Sequence, residues 1–376
     1  MKLATFSINL ALAIVFEIVM VPSADARPLA REAQAVIDRL VAVPVITPEP
    51  GFSAKMLIAP GELYDPLFMV PRGTTILLND DGKATDGHGS RVLSVTPEGK
   101  LSVLMDADQL LPVAGFDLAP QSFGNFGGQL FSLAQPTTGM KGALANHVIQ
   151  RIDLATHTAS VFCTLPNAGS VGKGIPGYGF DAHFGPAGSR FANIFYSLTV
   201  LNDMIYQTFP DGSCKAFVDT SQFGSHAALT YTGDGSAMLV AMAPEALPSA
   251  ASTAKGVIMR ISSDGKIDSK PIARGLVGPA GIAVAPPGFG NYGGEIFVAD
   301  SGDLRVPVPQ TQTLKRDGKI FRVTPDGELR LVASGFINPS GLRFIGKHLW
   351  VTDVNGDFVA GMRELPDGFL VQLDAM

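Results

Sequence analysis

Acidic and polar residues near the carboxyl end of the chain have a spacing that is typical of a calcium loop. Counting Asp353 as position one, oxygen-bearing side chains follow at positions three, five and twelve, which are Asn355, Asp357 and Glu364. This is the ligand spacing with which a loop surrounds calcium through oxygen atoms. Position six is Phe358, where a sharp turn favours glycine, so an ordinary polar turn between strands is the alternative interpretation. Calcium or another divalent cation is the predicted cofactor.

A second group of polar residues lies at the ends of apolar segments elsewhere in the chain. If these segments line a central channel, carboxylates could hold a hard cation, and histidines could act as general bases. Polar side chains bridged by channel waters are the alternative. Glu62 and Asp300 complete the predicted metal ligands. The candidates for the channel face are Asp117, Asp181, His183, His226 and Asn338.

No motif identifies a catalytic nucleophile or a nucleotide site. The chain has no GxSxG, HExxH or P-loop pattern. The polar segment 79–90 holds three aspartates and a histidine, but its glycines favour a solvated loop. The sequence therefore does not identify the catalytic residues.

The elements that must position these residues are β-strands arranged in repeated pairs. Amphipathic hairpins turn at Pro-Glu-Gly, Pro-Asp-Gly or Ser-Asp-Gly, which are strong hairpin signals because the glycine accepts a positive φ. More apolar pairs alternate with them, as the four-stranded blades of a propeller require. The six predicted inner pairs are 67–78, 115–134, 179–200, 228–242, 281–299 and 341–352. The predicted outer hairpins are 91–104, 147–164, 204–218, 257–272 and 319–332.

Five outer pairs for six inner pairs leave the last blade incomplete. Its missing strand is predicted to be Ala54–Ala59, pairing with Phe369–Leu373. Such a closure by both ends of the chain removes an open sheet edge. The fold class is therefore all-β, a six-bladed β-propeller closed by N- and C-terminal strands.

A repeated nonapeptide connects two of the inner pairs. The pattern FGN-aromatic-GG-polar-aliphatic-F occurs at Phe123–Phe131 and again at Phe289–Phe297. Recurrence at wide spacing is typical of repeat architectures. We predict a structural turn whose glycines adopt positive φ, with Phe131 and Phe297 packed between blades. By this reasoning Gly293→Ala destabilises the fold if φ at that position is positive.

Composition and the amino terminus indicate an exported globular protein. The 376 residues carry a net charge of −6 and are 46% hydrophobic, which permits a large core and gives no reason to expect nucleic acid as a partner. Residues 1–26 resemble a secretory signal ending in Ala24-Asp25-Ala26, and 27–50 read as a helix and linker before the propeller at 51–376. No later stretch is long enough to cross a bilayer, so we expect a secreted or periplasmic protein that does not bind membranes after cleavage.

Two cysteines, Cys163 and Cys214, fall in neighbouring repeats. They could form a disulfide in an oxidising compartment, provided that their Cα atoms lie within roughly 7 Å. Their spacing is not that of a metal-binding CxxC pair.

The segments 278–300 (GPAGIAVAPP…IFVAD) and 338–353 (NPSGL…LWVTD) resemble blades of the SMP-30/gluconolactonase-like propellers. The opening GELYDPLFMV is similar to the first-blade motif of that family, which implies that Glu62 binds a divalent metal. The family's Asn and Asp ligands correspond to Ala280 and Ser340 in this chain. The resemblance implies a metal-dependent lactonase or related hydrolase of a small molecule, although two expected ligands are replaced.

A second, local resemblance links segment 318–344 to quinone-dependent soluble sugar dehydrogenases. In those enzymes an arginine usually precedes Asn-Pro, and here the residue is Ile337. Three functions thus stay open: a metal-assisted lactonase, a non-catalytic propeller that binds a ligand or a protein, and a dehydrogenase-like protein. An occluded channel favours the second, and a metal at the channel mouth favours the first.

Overall fold

The computed structural model describes residues 42–81, 90–106, 109–111, 113–134, 147–167, 178–200, 202–243, 255–302, 317–354 and 366–376. Nearly all regular structure in these ranges is β-strand. The predicted signal and helix, and the predicted ligands Asn355, Asp357 and Glu364, lie outside the described residues. No helix in the described part of the chain is long and apolar enough to cross a membrane.

The strands form six antiparallel sheets, five with four strands and one with five. Blade 1 has β3 (Asp65–Arg72), β4 (Thr75–Asp81), β5 (Ser90–Val95) and β6 (Leu101–Met105), and blade 2 has β7 (Val113–Leu118), β8 (Leu130–Ala134), β9 (Val148–Asp153) and β10 (Thr158–Thr164). Blade 3 has β11 (Tyr178–Phe184), β12 (Phe195–Val200), β13 (Met204–Thr208) and β14 (Cys214–Asp219), and blade 4 has β15 (Ser225–Tyr231), β16 (Met238–Ala243), β17 (Gly256–Ile261) and β18 (Ala273–Leu276). Blade 5 has β19 (Pro279–Val284), β20 (Ile296–Asp300), β21 (Gly318–Val323) and β22 (Leu329–Phe336), with β1 (Thr47–Pro48) added outside β22. Blade 6 has β23 (Pro339–Ile345), β24 (His348–Asp353), β25 (Gly368–Ala375) and β2 (Phe52–Leu63).

The six sheets close into a ring, which confirms the predicted six-bladed propeller. The first strand of each blade contacts the first strand of the next, and β23 of blade 6 contacts β3 of blade 1. The predicted closure is also confirmed, because β2 pairs with β25 through Ala54–Leu373 and Ile58–Leu370. An N-terminal strand, β2, and the C-terminal strand, β25, therefore meet in blade 6.

The outer hairpins turn where the glycine patterns predicted. Gly99, Gly212, Gly265 and Gly327 all have φ between +84° and +87°. The predicted hairpin 257–272 turns at the expected place, but after a bridge between Ile261 and Ile267 its regular return strand begins only at Ala273. Pro271 lies in the intervening segment and has no N–H to donate to a sheet.

The repeated nonapeptides form the connections between the first and second strands of blades 2 and 5. Phe131 and Phe297 are fully buried, and each packs against aromatic rings of the following blade, as predicted. The positive φ values belong to Gly290 (+49°) and Gly294 (+85°), whereas Gly293 has no positive φ. The condition set for the Gly293→Ala prediction is therefore not met, and Gly294 is the residue whose conformation favours glycine.

The two sulfur atoms predicted as a candidate pair are bonded. Cys163 in β10 and Cys214 in β14 form a disulfide, with their Cα atoms 6.3 Å apart. The bond joins the outermost strands of blades 2 and 3.

Two features bring the innermost strands close to the propeller axis. Each innermost strand has a β-bulge in its pairing with the second strand of its blade. Gly115, Gly281 and Gly341 lie in three of these strands, and a Cβ atom on any of them would clash with the innermost strand of the next blade. Glycine is thus required there by close backbone approach. The result is a narrow channel.

We call the face where the innermost strands begin the entry face, and the opposite face the turn face. At the entry face the second strand of each blade ends and the third strand begins. The turn face carries the tight outer hairpins and the nonapeptide connections.

Candidate functional site

Four charged or ionisable side chains meet at the propeller axis, and we call them the axial cluster: Asp117, Asp181, His183 and Arg343. Arg343 extends from β23 of blade 6 to His183 in β11 of blade 3, which is three blades away round the ring. Its Nη2 lies 2.7 Å from Nδ1 and 3.1 Å from Nε2 of His183. Its Nε donates to the main-chain oxygen of Met69 in blade 1, at 3.1 Å. One side chain thus connects three blades.

The two carboxylates of the axial cluster lie on either side of the imidazole. Oδ1 of Asp181 is 3.1 Å from Nε2 of His183, and Oδ2 of Asp117 is 3.6 Å from Nδ1. Both aspartates also accept main-chain N–H groups from the next blade. Phe184 donates to Asp117 at 3.0 Å, and Leu229 donates to Asp181 at 2.9 Å. These carboxylates therefore stabilise contacts between blades as well as the histidine.

Burial and charge act in opposite directions on the protonation of this cluster. Burial and the Arg343 guanidinium oppose a charged imidazole, but Asp181 and Asp117 outweigh them and raise the pKa of His183 above its ordinary value. Burial likewise disfavours the Asp181 carboxylate, yet His183 and the hydrogen bond from Leu229 hold the pKa of Asp181 below its usual range. With two carboxylates and one guanidinium, the cluster becomes electrically neutral when His183 is protonated.

The space beside the axial cluster is small. A cavity of about 10 Å³ is lined by side chains of Phe68, His183 and Arg343 and by the glycine-containing strands β19 and β23. That volume holds about one water molecule. Since Arg343 crosses the axis beside this cavity, a substrate that entered the cavity would have to displace the contact with His183.

Asp80, Asp300 and Asp353 have a common role at the entry face. Each ends or nearly ends the second strand of its blade and accepts main-chain N–H groups from the segment before the first strand. Asp300 accepts from Val277 and Gly278, both at 2.8 Å, using both carboxylate oxygens. Asp353 is fully buried and also uses both oxygens, at 2.8 and 3.0 Å. A cation at either carboxylate would compete with these hydrogen bonds.

The remaining predicted site residues are dispersed. Glu62 lies near the end of β2 at the entry face, and its side chain is exposed. Its main-chain oxygen accepts a hydrogen bond from Arg91 at 2.7 Å. Asn338 is buried beside Asp353 and donates its main-chain N–H to that carboxylate. The backbone of His226 lies in β15, but its side chain is outside the described residues. Of the predicted channel-face residues, the structure brings together Asp117, Asp181 and His183.

Arg343 is the cluster residue that the sequence interpretation missed. It follows Gly341 by two positions, just as Asp117 follows Gly115. His183 occupies the same register in blade 3, since it pairs with Tyr196 as Asp117 pairs with Phe131 and Arg343 with Trp350. A charged residue two places after the inner-strand glycine is therefore the signal that could have identified Arg343.

The metal site implied by the gluconolactonase-like resemblance does not fit the described residues. Ala280 and Ser340 stand where that family has ligands, and alanine has no atom to offer a metal. No group of three or more His, Cys, Asp or Glu among the described residues is arranged to hold a metal ion. The quinone site fits no better, because the buried Ile337 replaces the expected arginine.

Solved structures with a similar fold confirm the resemblance at the level of architecture. They include an aldose sugar dehydrogenase from Streptomyces coelicolor in its PQQ-bound form, with TM-score 0.55, 14% identity, and coverage of 87% of this chain and 99% of that one. A gluconolactonase from Xanthomonas campestris has TM-score 0.56, 15% identity, and coverage of 89% and 95%. A Trichoderma reesei carbohydrate-active enzyme of family AA12 has TM-score 0.56, 11% identity, and coverage of 89% and 99%. No protein-family model matches the chain, and no curated protein matches it by sequence.

These observations define the class of protein. The chain is a six-bladed β-propeller with the architecture seen in gluconolactonases and PQQ-dependent sugar dehydrogenases. At such low identity the likeness establishes the fold, and function has to be argued from the site.

Proposed function

We propose that the protein is an exported, non-catalytic propeller that binds a sugar or a sugar-derived small molecule on its entry face. The observation that carries this proposal is the occluded axis, where Arg343 contacts His183 and leaves a cavity of about 10 Å³. A substrate held in the channel would have to displace this contact. Binding on the entry face, where the second strands of the blades end, needs no such rearrangement.

Different observations support the proposed ligand class and the proposed export of the protein. The similar structures are described as a gluconolactonase, an aldose sugar dehydrogenase and a carbohydrate-active enzyme, so sugars and sugar lactones are the first ligands to test. Export is supported by the signal-like residues 1–26 and by the Cys163–Cys214 disulfide, since disulfides persist in oxidising compartments. The net charge of −6 supports a partner other than nucleic acid.

The test separates binding from turnover. Thermal unfolding is measured with glucose, gluconate and glucono-lactone, because a ligand that binds only the folded state raises the melting temperature. Lactone hydrolysis and PQQ-dependent glucose oxidation are measured on the same samples, with and without calcium. We expect a ligand-dependent rise in melting temperature without turnover. Enzyme-dependent turnover would overturn the non-catalytic proposal, and no binding of any of these ligands would overturn the ligand class.

A metal-assisted lactonase is the second candidate, and one observation favours it. The carboxylate of Glu62 is exposed near the entry face, where a cation could reach it. In this alternative, calcium raises the melting temperature and supports lactone hydrolysis, and Glu62→Gln abolishes both effects. The matched control is Glu98→Gln, which removes an exposed carboxylate from an outer hairpin on the turn face.

A further inference from the structure

The two ring nitrogens of His183 face one donor, Arg343, and two acceptors, Asp117 and Asp181. An imidazole has two ring nitrogens, and the neutral ring donates from one and accepts at the other. The Arg343 guanidinium can only donate, so its contact with Nδ1 at 2.7 Å requires that Nδ1 be unprotonated. Asp181 then accepts from Nε2, at 3.1 Å. In this state Nδ1 has a donor and Nε2 has an acceptor, while the 3.1 Å approach of the Arg343 Nη2 to Nε2 is a contact between two donors.

A second acceptor is already in place for the other protonation state. Oδ2 of Asp117 lies 3.6 Å from Nδ1, slightly too far for a hydrogen bond. A small movement of either side chain would bring the two atoms within hydrogen-bonding distance. If Nδ1 gains a proton, it becomes a donor toward Asp117 and can no longer accept from Arg343. The imidazolium would then be held between two carboxylates, while Arg343 would face a positive charge.

We propose that the axial cluster is a pH-operated latch, in which protonation of His183 transfers Nδ1 from Arg343 to Asp117 and releases the cross-axis contact. The latch is closed at alkaline pH and open at acidic pH. The hydrogen bond from Arg343 to Met69 does not involve His183, so Arg343 still connects blades 6 and 1 when its contact with blade 3 is released. Opening therefore enlarges the axial cavity without breaking the ring.

The groups around His183 support this direction of the switch. Asp181 lies on its own strand, Asp117 on β7 and Arg343 on β23. From β15, the Tyr231 hydroxyl is kept neutral because burial, with nearby Asp117 and Asp181, raises the pKa of Tyr231 well above its ordinary value. The strands β3 and β19 contribute Phe68, Met69, Ala280, Gly281 and Ile282 to the cavity, which bear no charge. Two carboxylates thus outweigh one guanidinium.

Global stability has the opposite pH dependence from the latch, and the two can be distinguished. Because the pKa of His183 is raised in the folded state, protonation of this group stabilises the fold, and that contribution is lost as the pH rises through the folded pKa. Opening the latch in acid should therefore not unfold the ring. The expected change is local to Arg343.

The test is a nitrogen-15 NMR titration of the protein between about pH 5 and 9, with assignment of the His183 ring and the Arg343 guanidinium. We expect His183 to titrate with a midpoint above about 6.5, the ordinary value for histidine. Over the same range, the protection of the Arg343 guanidinium hydrogens against exchange should fall at least tenfold as the pH decreases. Constant protection while His183 titrates would overturn the proposal, and so would a His183 that does not titrate in this range.

Two variants check the mechanism. In His183→Gln, the amide can accept from Arg343 and donate to Asp181 but cannot take a proton, so the protection of Arg343 should become independent of pH. In Asp117→Asn, the acceptor for the imidazolium loses its charge while it can still accept from Phe184, and the midpoint should fall by about one pH unit. An unchanged midpoint in Asp117→Asn would exclude Asp117 as the second acceptor. The wild-type titration decides the proposal if either variant fails to fold.

Discussion

Gly341→Ala tests whether the inner-strand glycines are what brings the blades together at the axis. A Cβ atom at this position would lie 2.6 Å from Oγ1 of Thr352 and even nearer to the main-chain oxygen of Leu67. Thr352 accepts the N–H of Gly341 at 2.7 Å and donates to Leu67 at 2.9 Å, so it connects blades 6 and 1. The added methyl group therefore pushes two blades apart at a buried hydrogen-bonded contact.

The cost can be worked from these contacts. Overpacking a close-packed site costs about 1–3 kcal/mol. Each of the two buried hydrogen bonds through Thr352 contributes about 1 kcal/mol. We expect Gly341→Ala to lower the free energy of unfolding by about 3–5 kcal/mol, measured by chemical denaturation with the disulfide intact.

Gly346→Ala is the matched control for this experiment. Gly346 lies in the turn between β23 and β24, with φ of +60° and no atom within 4 Å of a built Cβ. Its replacement costs only backbone strain, about 1 kcal/mol. If Gly341→Ala costs no more than Gly346→Ala, close approach at the axis does not require glycine, and our account of the narrow channel fails.

Two further predictions concern the turn face and the dependence of stability on pH. Gly294→Ala should cost about 1 kcal/mol in chemical denaturation because φ is +85° and nothing surrounds the new Cβ, and a substitution without any cost would contradict this assignment. Burial lowers the pKa of His147 to about 4, so below about pH 6.5 the unfolded chain binds a proton that the folded protein does not. The free energy of unfolding should then fall by up to about 3 kcal/mol between about pH 6.5 and 4, and His147→Gln, compared with wild type by denaturation at several pH values, should remove that part of the slope.

The fold could be predicted from the sequence because its signals are local and repeated. Alternation of apolar residues and glycine-containing turns identified each strand pair, and counting the pairs predicted closure by Ala54–Ala59 with Phe369–Leu373. The failure at segment 266–272 has a local cause as well. Pro271 interrupts the hydrogen bonding of the return strand. The prediction followed the Ser-Asp-Gly turn signal and did not take the proline into account.

The axial cluster was only partly predictable, because it depends on contacts between residues far apart in sequence. Asp117, Asp181 and His183 were identified as channel residues, since each lies in an inner strand. The contact between His183 and Arg343 joins positions separated by 160 residues, and no local pattern reports such a distance. Position within the repeat could have indicated it, since Gly341 and Gly115 are each followed two places later by a charged residue.

The carboxylates at the entry face show why an aspartate at a strand end is ambiguous in sequence. A metal site needs ligands that converge from different elements on one point. A carboxylate that accepts main-chain N–H groups instead acts within its own blade and can recur at the same place in several blades. Asp80, Asp300 and Asp353 follow the second arrangement, because each accepts from the segment before the first strand of its own blade. Recurrence at equivalent positions in three blades is thus better explained by a requirement of the fold than by a shared ligand, and the functional residues of such a propeller should be sought at positions that the repeat does not share.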